Sequence, residues 1–135
     1  MNETTNRFVL EVGAGELFDR LTILELKAQH AQSPLQRRRV ARELRRARGS
    51  NDCSDRLLGQ IGPLIKELRA INERLWDVEN ELRVREANRD FGPAFVELSR
   101  AVYKNNDRRA AVKRRIDELV SPMFLQDKIY AGASI

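Results

Sequence analysis

The chain has little of what reactive chemistry most often uses. It carries one cysteine, Cys53, and one histidine, His30, so neither an intrachain disulfide nor a metal cluster built on thiols can form. Nucleophilic catalysis by a Cys/His pair needs the two side chains within hydrogen-bond reach and oriented by a third group. Cys53 falls in the polar run Gly49-Ser50-Asn51-Asp52-Cys53-Ser54, far along the chain from His30, and a chance loop cysteine is the simpler reading. Long apolar runs are also missing. None approaches the roughly 18 residues that a bilayer-spanning helix needs, and the start Met-Asn-Glu-Thr-Thr-Asn lacks the basic-then-apolar layout of a secretory signal. A cytoplasmic protein without a membrane span is expected. No phosphate loop is present either: Gly13-Ala14-Gly15-Glu16 is short and has neither the lysine nor the hydroxyl residue of that motif. Its backbone amides at a helix start can still hold an anion, although a tight turn into the helix is the commoner explanation.

What the chain does have is charge and helical periodicity. With 135 residues, of which 41% are hydrophobic and 33% charged, it is long enough for a single domain, residues 1–135, with much surface per residue, as helical bundles have. The net charge is +5, and the excess is mostly arginine, lysine occurring only at Lys27, Lys66, Lys104, Lys113 and Lys128. Such an excess invites nucleic-acid binding without specifying it.

The stretch Arg7 to Val12 is short, β-branched and closed by Gly13 to Gly15, which predicts an extended segment or lone strand, with Lys128-Ile129-Tyr130 as a candidate to pair with it. A first helix is expected from Gly15 or Glu16 to about Ala31, since Leu17, Leu21, Leu24, Ala28 and Ala31 repeat at helical spacing. Ser33-Pro34 has the form of an N-cap followed by proline at the first helical position, and Gly49 is a stop, so these bound a second helix with a thin apolar stripe. In the third helix Leu57, Ile61, Leu64, Leu68, Ile71, Leu75, Val78 and Leu82 form an unbroken heptad seam. Gly59, Gly62 and Pro63 lie early in it and predict a kink or a fresh start near Pro63. Asp90-Phe91-Gly92-Pro93 marks a turn, after which a fourth helix runs to about Val120 and stops at Ser121-Pro122. The fold class this predicts is all-α: an antiparallel bundle of about four helices, the third and fourth forming a long hairpin, with a short extended N-terminal segment.

The fourth helix breaks its own rule. One face carries Phe95, Leu98, Val102, Asn105, Arg109, Val112, Ile116 and Leu119, so two consecutive seam positions are polar. A buried arginine without a partner is costly; it must meet a carboxylate, admit water or leave room for an anionic ligand. If the turn centres on Arg89 to Phe91, residues facing each other across the hairpin have numbers summing to about 180. Asn105 then lies level with Leu75 and Trp76, Arg109 with Ile71 and Asn72, Arg83 near Glu97 and Leu98, and Glu79 near Arg100 and Tyr103.

Trp76, Glu79, Arg83 and Glu86 line one stripe beside the seam, and Tyr103, Asn105, Asn106 and Arg109 can meet that stripe or the first helix. As a site, this combines an aromatic wall with fixed carboxylates, amides and guanidinium groups, suited to a planar or phosphorylated ligand. As structure, it is an ion-pair network that fixes the register of the hairpin, and the residues alone favour that reading. Glu73, Asp77 and Glu81 recur every four residues, as magnesium ligands of helical pyrophosphohydrolases do, but their heptad positions make a solvated face the better explanation. Arg37, Arg38, Arg39, Arg42, Arg45, Arg46 and Arg48 crowd the second helix and can grip phosphates, yet no interleaved aromatics or nucleic-acid motif accompany them.

Three runs resemble a bacterial family of small helical proteins catalogued as a domain of unknown function: Gly15-Glu16-Leu17-Phe18-Asp19-Arg20-Leu21-Thr22-Ile23-Leu24-Glu25-Leu26-Lys27, Asn72-Glu73-Arg74-Leu75-Trp76-Asp77-Val78-Glu79, and Arg100-Ala101-Val102-Tyr103-Lys104-Asn105-Asn106-Asp107-Arg108-Arg109. The second helix lies outside the resemblance, and the Leu-Trp-x-x-Glu and Asn-Asp motifs are similar to those of a second, more distant helical family. The resemblance implies a setting near glycan-assembly genes and no particular activity. It marks Glu16, Asp19, Thr22, Lys27, Trp76, Glu79, Arg83, Tyr103, Asn106, Asp107, Arg109 and Lys113 as polar motif positions; the chain departs at Asp127-Lys128-Ile129-Tyr130, where an acid-acid-lysine tail is expected. Because these positions coincide with the stripe and the seam break, Glu16, Asp19, Trp76, Glu79, Arg83, Tyr103, Asn105, Asn106, Asp107 and Arg109 form the candidate ligand-binding set.

The expected function is a binding or assembly module that recognises a partner protein or a phosphorylated small molecule and self-associates into a homo-oligomer. The alternatives are a metal-dependent enzyme acting on a nucleotide or sugar-nucleotide, with Glu16, Asp19 or Glu79 holding the metal or acting as base, and nucleic-acid binding through the second helix. Cofactor and catalytic residues are unassigned, and no dedicated metal ligands are expected.

Overall fold

A computed structural model describes residues 6–49, 53–120, 129–130 and 133–134. The order of elements is α1 (Ala14–His30), α2 (Pro34–Gly49), α3 (Asp55–Ala87), α4 (Pro93–Val120), β1 (Ile129–Tyr130) and β2 (Ala133–Ser134). The chain is an all-α bundle: α3 and α4 form the long antiparallel hairpin, α1 packs across both, and α2 packs against α1.

Helices α2 and α3 begin where local chemistry can satisfy their free N–H groups. In α2 the Ser33 hydroxyl accepts from the Gln36 amide at 3.1 Å, and the Gln36 side-chain oxygen accepts from the Gln32 amide at 2.9 Å, a capping box whose return bond reaches one residue further back than usual. In α3 the Ser54 hydroxyl accepts from Leu57 N–H at 3.3 Å. Helix α1 starts after Gly13, which has no capping side chain, and is capped from a distance instead: Asp117 on α4 accepts from Gly15 N–H at 2.8 Å. Pro63 lies inside a single continuous α3, so no fresh start occurs there. The turn between α3 and α4 is a Schellman motif, with Arg89 N–H donating to Glu86 and Asp90 N–H to Arg85 at 2.9 Å. Its left-handed position is filled by Arg89, at φ 54°, rather than by the usual glycine. The Arg85 guanidinium and the Asp90 carboxylate, 2.7 Å apart, close the turn.

The core is built from Phe18 and Leu21 of α1, Ile61, Leu68, Ile71 and Leu75 of α3, and Val112 and Ile116 of α4. It therefore occupies the half of the hairpin that α1 crosses. Toward the turn the two helices have only each other, and Val84, Phe91 and Val96 are exposed. Helix α2 buries none of its residues.

One expectation needs correction, the pairing of Arg7 to Val12 with the C-terminal segment. Arg7 to Val12 is extended but joins no strand among the described residues, and Phe8, Val9 and Leu10 are 96%, 86% and 83% exposed. The proposed partner, Ile129–Tyr130, pairs instead with Ala133–Ser134 in an antiparallel ribbon, Ile129 opposite Ser134 and Tyr130 opposite Ala133. Two segments this near in sequence pair at far lower entropic cost than segments at opposite ends of the chain. Asp127 and Lys128, and most of the tail after Val120, lie outside the described residues.

Candidate functional site

The polar interruption of the α4 seam is resolved by α1. Asp19, 2% exposed, is the node. Its Oδ1 accepts from Arg109 Nε at 2.8 Å and from Asn72 Nδ2 at 2.9 Å, and its Oδ2 accepts from Arg109 Nη2 at 2.5 Å. This is the two-pronged guanidinium–carboxylate geometry, stronger and more directional than a single contact. Lys113 Nζ lies 3.8 Å from the same carboxylate and 2.6 Å from Glu16. Thr22 completes the group: its hydroxyl donates to the Asp19 carbonyl at 2.7 Å and accepts from Asn72 Nδ2 at 2.9 Å.

Helix periodicity explains why these residues meet. Gly15, Glu16, Asp19 and Thr22 share one face of α1, while Asn105, Arg109, Lys113 and Asp117 recur every four residues along α4. Laid antiparallel, the two stripes match in charge, with Asp19 at Arg109, Glu16 at Lys113, and Gly15 at Lys113 and Asp117. The approach is closest at Gly15, where a β-carbon would stand 2.4 Å from the Lys113 carbonyl oxygen. Only a residue without a side chain fits against backbone at that point.

The electrostatics follow the geometry. Arg109 holds its proton more tightly than a free arginine, chiefly through its hydrogen bonds to Asp19; burial opposes this, and the charges of Asp19, Glu16 and Glu79 reinforce it. Asp117, 4% exposed, has a pKa above the ordinary carboxylate value, because burial penalises its charged form by more than the Gly15 N–H and the Lys113 charge recover. Asn105, 8% exposed, is satisfied within its own helix by donating to the Ala101 carbonyl at 2.8 Å. The two polar seam positions are thus handled in different ways, one by a partner helix and one locally.

The remaining sequence-derived candidates are dispersed. Glu79, Arg83 and Tyr103 are exposed and Asn106 and Asp107 half-buried. Arg100, expected to meet Glu79, pairs with Glu97 on its own helix at 2.5 Å. Trp76 does not wall the Arg109 crevice; its indole stacks on the imidazole of His30, ring centres 4.6 Å apart and planes inclined by 18°. It borders a separate cleft of about 360 Å³ formed by α1, α2 and α3. Glu73, Asp77 and Glu81 are exposed, Glu73 pairing with Arg69 and Glu81 with Arg85. Among the described residues, no group of three or more His, Cys, Asp or Glu is placed to hold a metal ion.

No family model, curated protein or solved structure matches this chain. The site therefore rests on its own geometry. Sequence reasoning selected Glu16, Asp19 and Arg109 but left Asn72, Thr22 and Lys113 outside the candidate set, although the first lay level with Arg109 in the expected register and the other two matched motif positions. Asp117 and Gly15 had one usable signal, the four-residue spacing from Arg109 through Lys113 to Asp117. No described helix is long and apolar enough to cross a membrane.

Proposed function

We propose that the chain is a small, non-catalytic helical binding or assembly module, in which the Asp19 cluster locks α1 onto the hairpin and the surfaces so positioned recognise a phosphorylated small molecule or a partner. The observation that carries this reading is the closure of the Asp19 carboxylate: at 2% exposure both its oxygens are taken by Arg109, one also by Asn72. A catalytic carboxylate needs an open position for a substrate proton or a metal, whereas a satisfied, desolvated network fixes a register. The resemblance to a bacterial helical family of unknown function, and a cytoplasmic setting, belong to the same proposal. So does self-association, supported by the apolar Val84, Phe91 and Val96 left exposed toward the hairpin turn.

A thermal-shift panel of nucleotides, sugar-nucleotides and divalent metals tests the reading on wild type, Arg109→Ala and Glu79→Ala. A ligand specific to the folded state adds about 2.7 kcal/mol at a hundred times its dissociation constant. The expected result is a metal-independent shift with some phosphorylated compound and no turnover. Metal-dependent hydrolysis or transfer contradicts the reading. No shift with any compound contradicts recognition of a phosphorylated small molecule, whatever the melting temperatures of the two variants. Nucleic-acid binding is the second reading, favoured by the exposure of all seven arginines of α2; it requires retention of oligonucleotides that weakens steeply with salt.

A further inference from the structure

The cleft beside Trp76 is separate from the Asp19 cluster, and its lining has a distinct chemistry. Lys27 and His30 come from the last turn of α1, Gln36, Arg39 and Val40 from the start of α2, and Trp76 from the middle of α3, with Ala31 and Gln32 between the helices. Among the described residues, no Asp or Glu lines it. The groups that border it are mostly donors: an ammonium, a guanidinium, an imidazole, and the Gln36 amide, whose oxygen is already occupied by Gln32 N–H. Lys27 and His30 also offset the negative end of the α1 dipole, but that role needs neither Arg39 nor a cleft.

The second component is flat. Trp76 is half-buried and His30 exposed, so the imidazole is the outer member of a nearly parallel stack anchored on the indole. Such a stack offers its free face to another planar group. The volume, about 360 Å³, falls within the roughly 300–1,000 Å³ of small-ligand sites. A planar ring on the His30–Trp76 stack and a phosphate between Lys27 and Arg39 together make one ligand class.

We infer that this cleft binds a nucleoside monophosphate, its base continuing the His30–Trp76 stack and its phosphate meeting Lys27 and Arg39. The inference deepens the binding-module reading and rests on it, but not on the Asp19 cluster.

Trp76 is the only tryptophan, so intrinsic indole fluorescence reports on this cleft alone. The full chain is titrated with adenosine 5′-monophosphate, and with inorganic phosphate, ribose 5-phosphate and adenosine as separate arms. The expected result is a saturable change with the nucleotide, absent with the two phosphates over the same range, and about a hundredfold weaker for adenosine, which loses the charge-assisted contacts to both Lys27 and Arg39. Lys27→Ala and Arg39→Ala, both at exposed positions, each weaken nucleotide binding by about tenfold on the same grounds. Arg45→Ala, on the same helix but outside the lining, leaves it unchanged. No saturable change overturns the inference, as does an equal effect of all three substitutions. If the nucleotide raises the melting temperature while Trp76 fluorescence stays constant, this site is wrong and the module reading stands. A saturable Trp76 signal accompanied by metal-dependent turnover of the nucleotide supports the cleft and contradicts the module reading.

Discussion

Arg109 on α4 grips Asp19 on α1 through both Nε and Nη2, across 90 residues of chain. The pair converts what is a defect in the heptad seam of α4 into the contact that sets where α1 lies. An apolar pair at these positions could slide along the helices with little change in energy, whereas a guanidinium fork tolerates one register.

Arg109→Ala leaves Asp19 buried with Asn72 and a lysine 3.8 Å away. Removing one partner of a buried pair costs about 3–5 kcal/mol, and the low end applies because Arg109 keeps 28% of its side chain exposed. Urea unfolding monitored by circular dichroism should show a lower midpoint with an unchanged slope.

Gly15→Ala should destabilise, although alanine in a helix interior normally gains about 0.5–1 kcal/mol over glycine. Its β-carbon would stand 2.4 Å from the Lys113 carbonyl oxygen, and backbone cannot rotate away as a side chain can. Overpacking of this kind costs about 1–3 kcal/mol. Pushing α1 off α4 also stretches the Gly15–Asp117 bond, so amide exchange at Gly15 should accelerate more than at mid-helix positions of α3.

The raised pKa of Asp117 has a definite sign in stability. A carboxyl whose folded pKa exceeds its unfolded one contributes stability that is fully present below the unfolded value of about 3.9 and is lost as pH rises through the folded value. At neutral pH its charge is therefore a burden, produced by burial. Asp117→Asn keeps an oxygen for Gly15 N–H and removes the charge, so it should match or exceed wild-type stability at pH 7. Its advantage should shrink as pH falls through the acid range, measured by urea midpoints along a pH series.

Arg89→Gly should stabilise the hairpin turn. A non-glycine residue in the left-handed region costs about 1–2 kcal/mol, partly offset by the 0.5–1 kcal/mol or so that glycine loses in backbone entropy. Arg89 is exposed at φ 54°, and the turn is otherwise closed by backbone bonds and the Arg85–Asp90 pair. A net gain of about 0–1.5 kcal/mol should appear as a small rise in melting temperature.

Local patterns were legible in the sequence where one helix or one turn determined them. The repeat from Leu17 to Ala31, the Ser33-Pro34 start with Gly49 and the Asp90 to Pro93 turn placed α1, α2 and α4 within a residue or two of their observed ends, whereas the start of α3, left open between a kink and a fresh start near Pro63, lies at Asp55. The antiparallel register was legible as well: Arg109 was expected level with Asn72, and Asp19 bonds both. The partner that α1 brings was not, because the approach of Asp19 depends on how a third helix crosses the hairpin. Glu79, on the facing stripe of the hairpin, was as open a candidate as Glu16 or Asp19 of the first helix. Trp76 was misplaced for the same reason; its neighbour His30 belongs to α1 and its cleft to α2. Arg7 to Val12 had the β-branched composition of a strand but joins no strand among the described residues.

Whether Asp19 and Arg109 form one energetic unit that locks α1 to the hairpin is decided by a double-mutant cycle of Asp19→Ala, Arg109→Ala and the double variant in equilibrium urea unfolding. Contacting residues in one network couple by about 0.5–3 kcal/mol, and the two-pronged contact to a buried carboxylate predicts a coupling inside that range, with the double variant no worse than the more damaged single. Effects that simply add within about 0.5 kcal/mol, as independent sites do, would contradict it.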